Sequence, residues 1–309
     1  MTKILITGGA GNVGGSLANT LVANADYEVV VVDNLRTGSV SKLPSKENQN
    51  FTFIKCDVNN FSEISAIMVA WKFDYVFHYA ALVGVKRTLD NPIEVLDDID
   101  GIKNILSLAK NTGVKRLFFS SSSEVYGEPV EFPQNEHTTP LNSRLPYAIV
   151  KNVGEAFFKS YQKEFNLDYT IFRFFNTYGP GQSTDFVVPR FISLALKNED
   201  IQIYGDGSQT RTFCFIDDNI EATRLIFEKG YFINDVVNIG SNIEVSVLDL
   251  AKKVIKMTGS TSKIVHLPAL EEGDMTRRQP DNSKMLDILK RPLKNLDEGI
   301  EILIKELKK

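Results

Sequence analysis

Apolar residues in this chain gather in short unbroken runs, and between the runs they return at helical spacing. KILITGG, EVVVVDN, FTFIKCD and FDYVFHYAAL are four such runs, followed by KRLFFSS and LDYTIFRFFN. None alternates apolar with polar residues, so none reads as a strand with one wet face, and strands of this kind are covered on both sides. Between them, NVGGSLANTLVANA, FSEISAIMVAWK and PYAIVKNVGEAFFKSYQKEFN read as helices, as does NPIEVLDDIDGIKNILSLAKNTG. That last stretch has proline near its start and glycine just past its end, the expected asymmetry of a helix. Strands separated by helices predict a doubly wound parallel sheet, an α/β architecture.

After Gly179 the texture changes. PGQSTDFVVPRF is loop-like, IQIYGDGSQTRTFCFI predicts two short strands around a glycine turn, and helices and short strands alternate to the end. The expected division is a main domain over residues 1–178 and a smaller α/β region over 179–309, with segments returning to the main sheet. The chain has 309 residues, 43% hydrophobic and 24% charged, ordinary values for a globular protein with a sizeable core. A formal net charge of -4 carries no basic signature, which argues against nucleic acid as a partner. Cys56 and Cys214 stand far apart and lack metal-ligand spacing, so neither a disulfide framework nor a metal site is indicated. MTKILITGG lacks the long apolar core of a signal peptide, and no apolar run reaches transmembrane length. A reduced cytoplasmic setting is the expectation.

TGGAGNVGG sets Gly8, Gly11 and Gly14 between the first strand and the first helix. A tight turn needs glycine backbone angles, a pyrophosphate must approach bare backbone, and a helix N-terminus offers amide donors. The trio gains weight from the second strand, which ends in Asp33 where an acidic side chain can accept both ribose hydroxyls of NAD. The same carboxylate would repel the extra phosphate of NADP, although Arg36 nearby is a guanidinium able to offset that repulsion. The fold class is therefore a Rossmann-type sheet with NAD as cofactor. The expected cofactor contacts are Gly8, Gly11, Asn12, Val13 and Gly14 on the loop, and Asp33 and Asn34 after the second strand. Asp57 and Val58 after the third strand and Ala80 after the fourth complete the set, with Asp57 facing the adenine.

Tyr147 and Lys151 are four residues apart on a predicted helix and so share a face. A tyrosine ordinarily titrates near 10, too high for a base at neutral pH. A nearby ammonium stabilises the phenolate, lowers that value, and can also bond a cofactor ribose. Upstream, SSSSEVYG ends the fifth strand with hydroxyls and a carboxylate. In this order TGGAGNVG, VVDN, SSSSEVYG, YAIVK, RFFNTYGPG and YGDGSQTRTF resemble the extended short-chain dehydrogenase/reductase family, specifically its nucleotide-sugar epimerase, dehydratase and decarboxylase group. The resemblance covers essentially the whole chain. It implies an enzyme that oxidises a sugar hydroxyl carbon, commonly C4, of a nucleoside diphosphate sugar, with Ser122, Tyr147 and Lys151 as catalytic residues. Glu124 joins them as a proton handler at C5 or a partner for a sugar hydroxyl, and Ser123 as a substrate contact.

The family also implies that Asn176 and the arginines Arg211 and Arg278 bind the sugar diphosphate, with Arg190 a further candidate. Planar guanidinium forks suit phosphate oxygens, and a chain of net negative charge needs such dedicated cations. His78 reads as a packed, hydrogen-bonded residue, His137 and His266 as surface or loop residues, and Asp217 and Asp218 as caps of the following helix. A 4,6-dehydratase of this group carries an Asp-Glu pair where this chain has Ser123-Glu124, so its acid is missing. Decarboxylases have a similar SEVYG element and an R-x-P-D like RRQPD, but arginine where this chain has Gly181. The favoured expectation is a 4-epimerase or a net 4-dehydrogenase, with a UDP-glucuronate decarboxylase or 4,6-dehydratase as alternatives. A non-catalytic NAD(P) sensor is disfavoured by the complete Ser122, Tyr147 and Lys151 set. Asp98, in DIDGI, stands where the family has asparagine, and Asn12 where it has an aromatic residue. The family implies a homodimer paired through the helices Ile93–Lys110 and Tyr147–Phe165; the stripe Ile102, Ile105, Leu106 and Ala109 fits that pairing and core packing equally.

Overall fold

All six unbroken apolar runs are strands: β1 (Thr2–Thr7), β2 (Tyr27–Asp33), β3 (Phe51–Lys55), β4 (Tyr75–His78), β5 (Arg116–Ser122) and β6 (Asp168–Phe174). After them come β7 (Thr177–Tyr178), β8 (Ile201–Tyr204), β9 (Thr210–Thr212), β10 (Cys214–Phe215), β11 (Asp235–Ile239), β12 (Glu244–Ser246) and β13 (Ile264–Leu267). The first five helices are α1 (Asn12–Leu21), α2 (Phe61–Trp71), α3 (Val85–Asp90), α4 (Pro92–Thr112) and α5 (Pro146–Phe165). Five more follow: α6 (Val187–Leu196), α7 (Ile216–Lys229), α8 (Val247–Thr258), α9 (Ser283–Leu289) and α10 (Leu296–Leu307). The computed structural model describes residues 1–269 and 277–308.

Seven strands form one parallel sheet in the order β11-β6-β5-β4-β1-β2-β3. Alternate residues of each strand serve opposite faces. Ile4, Ile6, Val29, Val31, Phe77, Phe118 and Phe172 share a core with residues of α1, α6, α7 and α8. Leu5, Val30, Val32, Val76, Leu117, Phe119 and Ile171 share another with residues of α2, α4 and α5. Both faces are dry, which is why the strand sequences do not alternate. Helix punctuation is local: Pro92 and Pro146 open α4 and α5, and Gly113, at φ 80°, ends α4. The winding reverses between β1 and β4, and at such a reversal the carboxyl ends of the strands open a crevice.

Two local expectations need correction. Residues 201–216 do not make two strands around a glycine turn. β8 pairs with β13, β9 with β12 and β10 with β7, each in its own two-stranded sheet. Gly207 at φ 76° sits against Leu248 at the start of α8, so the turn sends the chain away rather than back along β8. Asp217 and Asp218 do not cap α7, whose N-cap is Phe215. They lie in its first turn, where a helix favours negative charge. From there buried Asp218 accepts from Arg291 at 2.6 Å and from the Lys294 backbone N–H at 2.8 Å, fastening the connection between α9 and α10. His266 is exposed on β13, a surface residue as expected, and binds the Gly205 carbonyl oxygen. The stripe Ile102, Ile105, Leu106 and Ala109 is buried in the chain's own core. No helix among the described residues is long and apolar enough to cross a membrane.

Candidate active site

The glycine loop lies at the reversal of the sheet. A Cβ on Gly8, at φ 67°, would stand 2.6 Å from the Ala80 backbone just past β4, so only glycine lets the two strand ends close up. A Cβ on Gly14 would meet Gly8 O at 2.6 Å, which packs α1 tightly onto the loop. Helix α1 begins at Asn12 with no side-chain cap and no acidic residue in its first turn, so its leading amides remain available to an anion. Asp33 is buried and accepts from the backbone N–H of Ala10 at 3.0 Å and of Leu35 at 2.7 Å. It thus ties the loop to the end of β2 and fixes where its carboxylate points. Asn34 donates to Asp57 at 3.0 Å, joining the ends of β2 and β3. Arg36 is not loose beside Asp33: it pairs with Glu94 of α4, which also raises its pKa.

The serine run at the end of β5 has separate duties at successive positions. Ser120 receives Lys151 Nζ at 3.4 Å, and its own hydroxyl reaches the His78 carbonyl at 3.4 Å. Ser121 donates to Glu155 at 2.7 Å. Ser122 accepts the Glu124 backbone N–H at 3.2 Å, and its hydroxyl lies close enough to the Tyr147 phenol to favour the phenolate. Ser123, buried, begins the short turn Ser123–Tyr126 that holds Glu124. His78 is packed as expected: Thr7 Oγ1 lies 2.9 Å from its Nδ1, and the same oxygen accepts the backbone N–H groups of Tyr79 and Ala80. With both lone pairs so used, the hydroxyl donates to Nδ1, and burial holds the neutral ring down to about 3.

Tyr147 and Lys151 share one face of α5, with Nζ 5.7 Å from the phenol ring centre and 5.0 Å from that of Phe119. Lys151 is only 3% exposed, and burial lowers its pKa to about 8, with the Asp98 carboxylate pulling the other way. The expected lowering of Tyr147 is not found. Burial raises its pKa, the Glu124 charge adds to the rise, and the Ser122 hydroxyl and Arg278 oppose it. Desolvation of the phenolate outweighs these nearby favourable groups, so the resting residue is a phenol. Asp98, half-buried and with its pKa raised by desolvation, accepts the Leu82 N–H at 2.8 Å. This is how the carboxylate in place of asparagine is held.

Arg278, the arginine expected to bind the diphosphate, meets Glu124 in an ion pair of 2.8 Å, its side chain 6% exposed and that of Glu124 17%. Both charges act on Tyr147, so the pair lies close to its phenol. Among the described residues Arg278 Nε has no hydrogen-bond partner, although it is buried. That leaves a guanidinium donor available beside a carboxylate. Asn176 donates to the Thr212 carbonyl at 3.1 Å, which brings it to the strand carrying Arg211, and Arg211 donates to Thr210 O at 2.7 Å. Arg190 donates to Asp185 O at 3.0 Å ahead of its own helix.

Sequence reasoning missed the frame behind the site. Glu155 lies one turn beyond Lys151 on the same helix face and forms a buried, two-bond pair with Arg173 of β6, at 2.9 and 2.7 Å. The spacing 147, 151, 155 was a visible signal, since four-residue steps share a helix face. Arg277 takes the opposite direction from Arg278, gripping Glu244 of β12 at 2.7 and 2.6 Å. Among the described residues there is no cluster of His, Cys, Asp and Glu that could hold a metal ion.

Comparison with known proteins agrees with this geometry. The model of the NAD-dependent epimerase/dehydratase family matches residues 4–240. The UDP-N-acetyl-alpha-D-glucosaminuronate decarboxylase of Bacillus cytotoxicus is 36% identical over 303 residues, covering 93% of this chain and 91% of the relative. UDP-glucuronic acid decarboxylase 4 of Arabidopsis thaliana is 33% identical, over 99% of this chain and 68% of its own. Among solved structures, the UDP-glucose 4-epimerase of Thermotoga maritima with UDP-glucose superposes with a TM-score of 0.92 at 32% identity, over 99% of both chains.

Proposed function

The chain belongs to the NAD-dependent epimerase/dehydratase family, and on that premise we propose that it removes the C6 carboxyl group of a UDP-linked hexuronate, giving a UDP-linked pentose. The observation that carries the proposal is the Glu124–Arg278 ion pair beside Tyr147. A buried ion pair is weak as a stabilising device, because desolvating both charges offsets their attraction. Its worth here is chemical. Oxidation of C4 makes the sugar a β-keto acid, whose C5–C6 bond can break with the electron pair delocalised onto the C4 oxygen.

The loop residues Gly8, Gly11, Asn12, Val13 and Gly14, with Asp33 and Asn34, fit a dinucleotide: bare backbone, an uncapped helix start and a fixed carboxylate. Asp57, Val58 and Ala80 border the same crevice, and Asp33 together with the Arg36–Glu94 pair favours NAD over NADP. NAD held there would supply an acceptor for the C4 hydride and a donor for its return. Tyr147, a phenol at rest, acts once ionised, and the phenolate, favoured by the Lys151 ammonium and by the positive charge of an oxidised nicotinamide, takes the C4 hydroxyl proton while Ser122 orients that hydroxyl. Arg278, through its spare Nε–H, holds the substrate carboxylate until carbon dioxide leaves. Glu124 relays from solvent the proton that C5 then requires. Reduction at C4 recovers the proton from Tyr147, so the net change is one proton taken up and one carbon dioxide released. Asn176, Arg211 and Arg190 serve the diphosphate.

Decarboxylases at 36% and 33% identity support this reading. A 4-epimerase is the second reading, favoured by the likeness to the Thermotoga maritima epimerase and by Gly181 in place of arginine. Dehydration lacks its acid at Ser123. The test offers UDP-hexuronates and UDP-hexoses to the purified protein and follows products by NMR. A pentose from the hexuronate alone supports the proposal, whereas isomerised neutral hexose supports the epimerase. Turnover should fall by about 10²–10⁴-fold in Tyr147→Phe.

We also propose a cytoplasmic homodimer. Since the inner stripe of α4 is used in the core, the second copy docks on the outer faces of α4 and α5, where Ile93, Leu96 and Ile149 are exposed. Light scattering should give twice the chain mass, and Ile93→Asp with Leu96→Asp should give one.

A further inference from the structure

Asn238 lies where the segments bearing Glu124 and Arg278 meet. It stands on β11, in register with Arg173 of β6, and is wholly buried. Its Oδ1 accepts from the Tyr126 hydroxyl at 2.7 Å. Its Nδ2 donates to Gln134 O at 2.9 Å and to Asp281 O at 3.1 Å. A side-chain amide has two N–H donors and one carbonyl, and here each is bonded.

The partners give these bonds their meaning. Tyr126 closes the turn that begins at Ser123 and carries Glu124. Gln134 runs beside the segment that follows Arg278: its N–H donates to Gln279 O at 2.7 Å, and its carbonyl accepts the Asp281 N–H at 2.8 Å. One amide therefore bonds the turn bearing Glu124 on one side and the strand-like pair bearing Arg278 on the other. Arg173 braces the arrangement, donating to Tyr126 Oη at 2.9 Å and to Glu136 O at 3.0 Å. Loss of the amide would leave the Tyr126 hydroxyl proton without its acceptor and the Asp281 carbonyl without this donor, while Gln134 O would keep only the Asp281 N–H, and groups so stripped shift to find others.

We propose that Asn238 is a positioning residue that sets the approach of Arg278 to Glu124, and that it thereby governs the breaking of the C5–C6 bond rather than oxidation at C4. The hydroxyl and ammonium groups for C4 come from β5 and α5, through Ser122, Tyr147 and Lys151, outside this set of bonds. Only the assignment of the step rests on the decarboxylase reading; the positioning itself does not.

Two variants test it in the full-length, NAD-loaded protein. Asn238→Leu keeps the size and removes all three bonds. Tyr126→Phe keeps the amide's two bonds to carbonyls and cuts its link to the turn, together with the bond that Arg173 donates to the hydroxyl. Crystal structures of the variants should show Glu124 and Arg278 parted beyond the roughly 4 Å reach of an ion pair. An unchanged contact overturns the proposal, whatever reaction the enzyme catalyses. With a UDP-hexuronate, cofactor reduction followed by absorbance should stay within about threefold of wild type, while carbon dioxide release falls by about tenfold or more. An equal fall in both rates makes Asn238 merely structural and overturns the proposal. If wild type releases no carbon dioxide from any hexuronate, the decarboxylase reading fails, and the ion-pair separation alone decides the positioning claim. Should Asn238→Leu not fold, Tyr126→Phe carries both measurements.

Discussion

At Asp33 the carboxylate is pinned by two backbone amides, and Arg36, the cation that might have offset its charge, is held by Glu94. NAD preference is therefore shared between two residues. Asp33→Ser combined with Glu94→Gln removes the repelling charge and frees the guanidinium, and should shift relative affinity toward NADP by about tenfold or more in calorimetric titration, given the strength of arginine–phosphate bonds. His78 gives a second prediction. Its ordinary pKa of about 6.5 would apply in the unfolded chain, against about 3 when folded. Between those values the unfolded chain binds the extra proton, so this contribution is complete above about 6.5 and is lost as pH falls toward 3. At pH 5 the loss is about 2 kcal/mol, and urea unfolding of wild type should show it while His78→Asn does not. At this scale the sequence was most informative where spacing is short. Ser122, Tyr147 and Lys151 could be read because a strand end and a four-residue helical step place them. The Glu124–Arg278 contact could not, because it joins residues far apart in the chain. The pKa of Tyr147 was misjudged for a related reason: burial of the phenol is a property of the packed site, not of the helix.

Helix α5 is the element on which the site depends most. Tyr147, Lys151 and Glu155 lie along one face, and Glu155 fixes that face to the sheet through Ser121 of β5 and Arg173 of β6. Glu155 is 1% exposed, and its pairing with Arg173 and Ser121 overcomes burial and lowers its pKa. Removing one member of such a pair leaves the other charge buried. Glu155→Ala should therefore cost about 3–5 kcal/mol in urea unfolding, and a loss under about 1 kcal/mol would contradict this account. The long elements were legible because continuous apolar runs and 3.6-residue periodicity are written locally. The strands of residues 201–216 were not, since segments of two to four residues take their partners from distant parts of the chain. Nor did composition reveal that the aspartates opening α7 reach Arg291 and Lys294 instead of capping the helix.

Across the whole molecule, the sheet reversal places the glycine loop, the serine edge and α5 around one crevice, and the C-terminal region lends it Arg278. That loan is the ground on which we propose a decarboxylase in place of the favoured sequence expectation, a 4-epimerase or 4-dehydrogenase. Epimerisation needs a keto sugar free to turn over; an anchored carboxylate restrains that motion and directs the ketone toward loss of C6. The most direct measurement follows the fate of that carbon. The protein, with NAD, is given UDP-glucuronate isotopically labelled at C6, and NMR records where the label goes. This account predicts labelled bicarbonate in step with an unlabelled UDP-pentose, without net reduced cofactor, and no release in Arg278→Ala. Label retained in an isomeric UDP-hexuronate would contradict it and establish the epimerase.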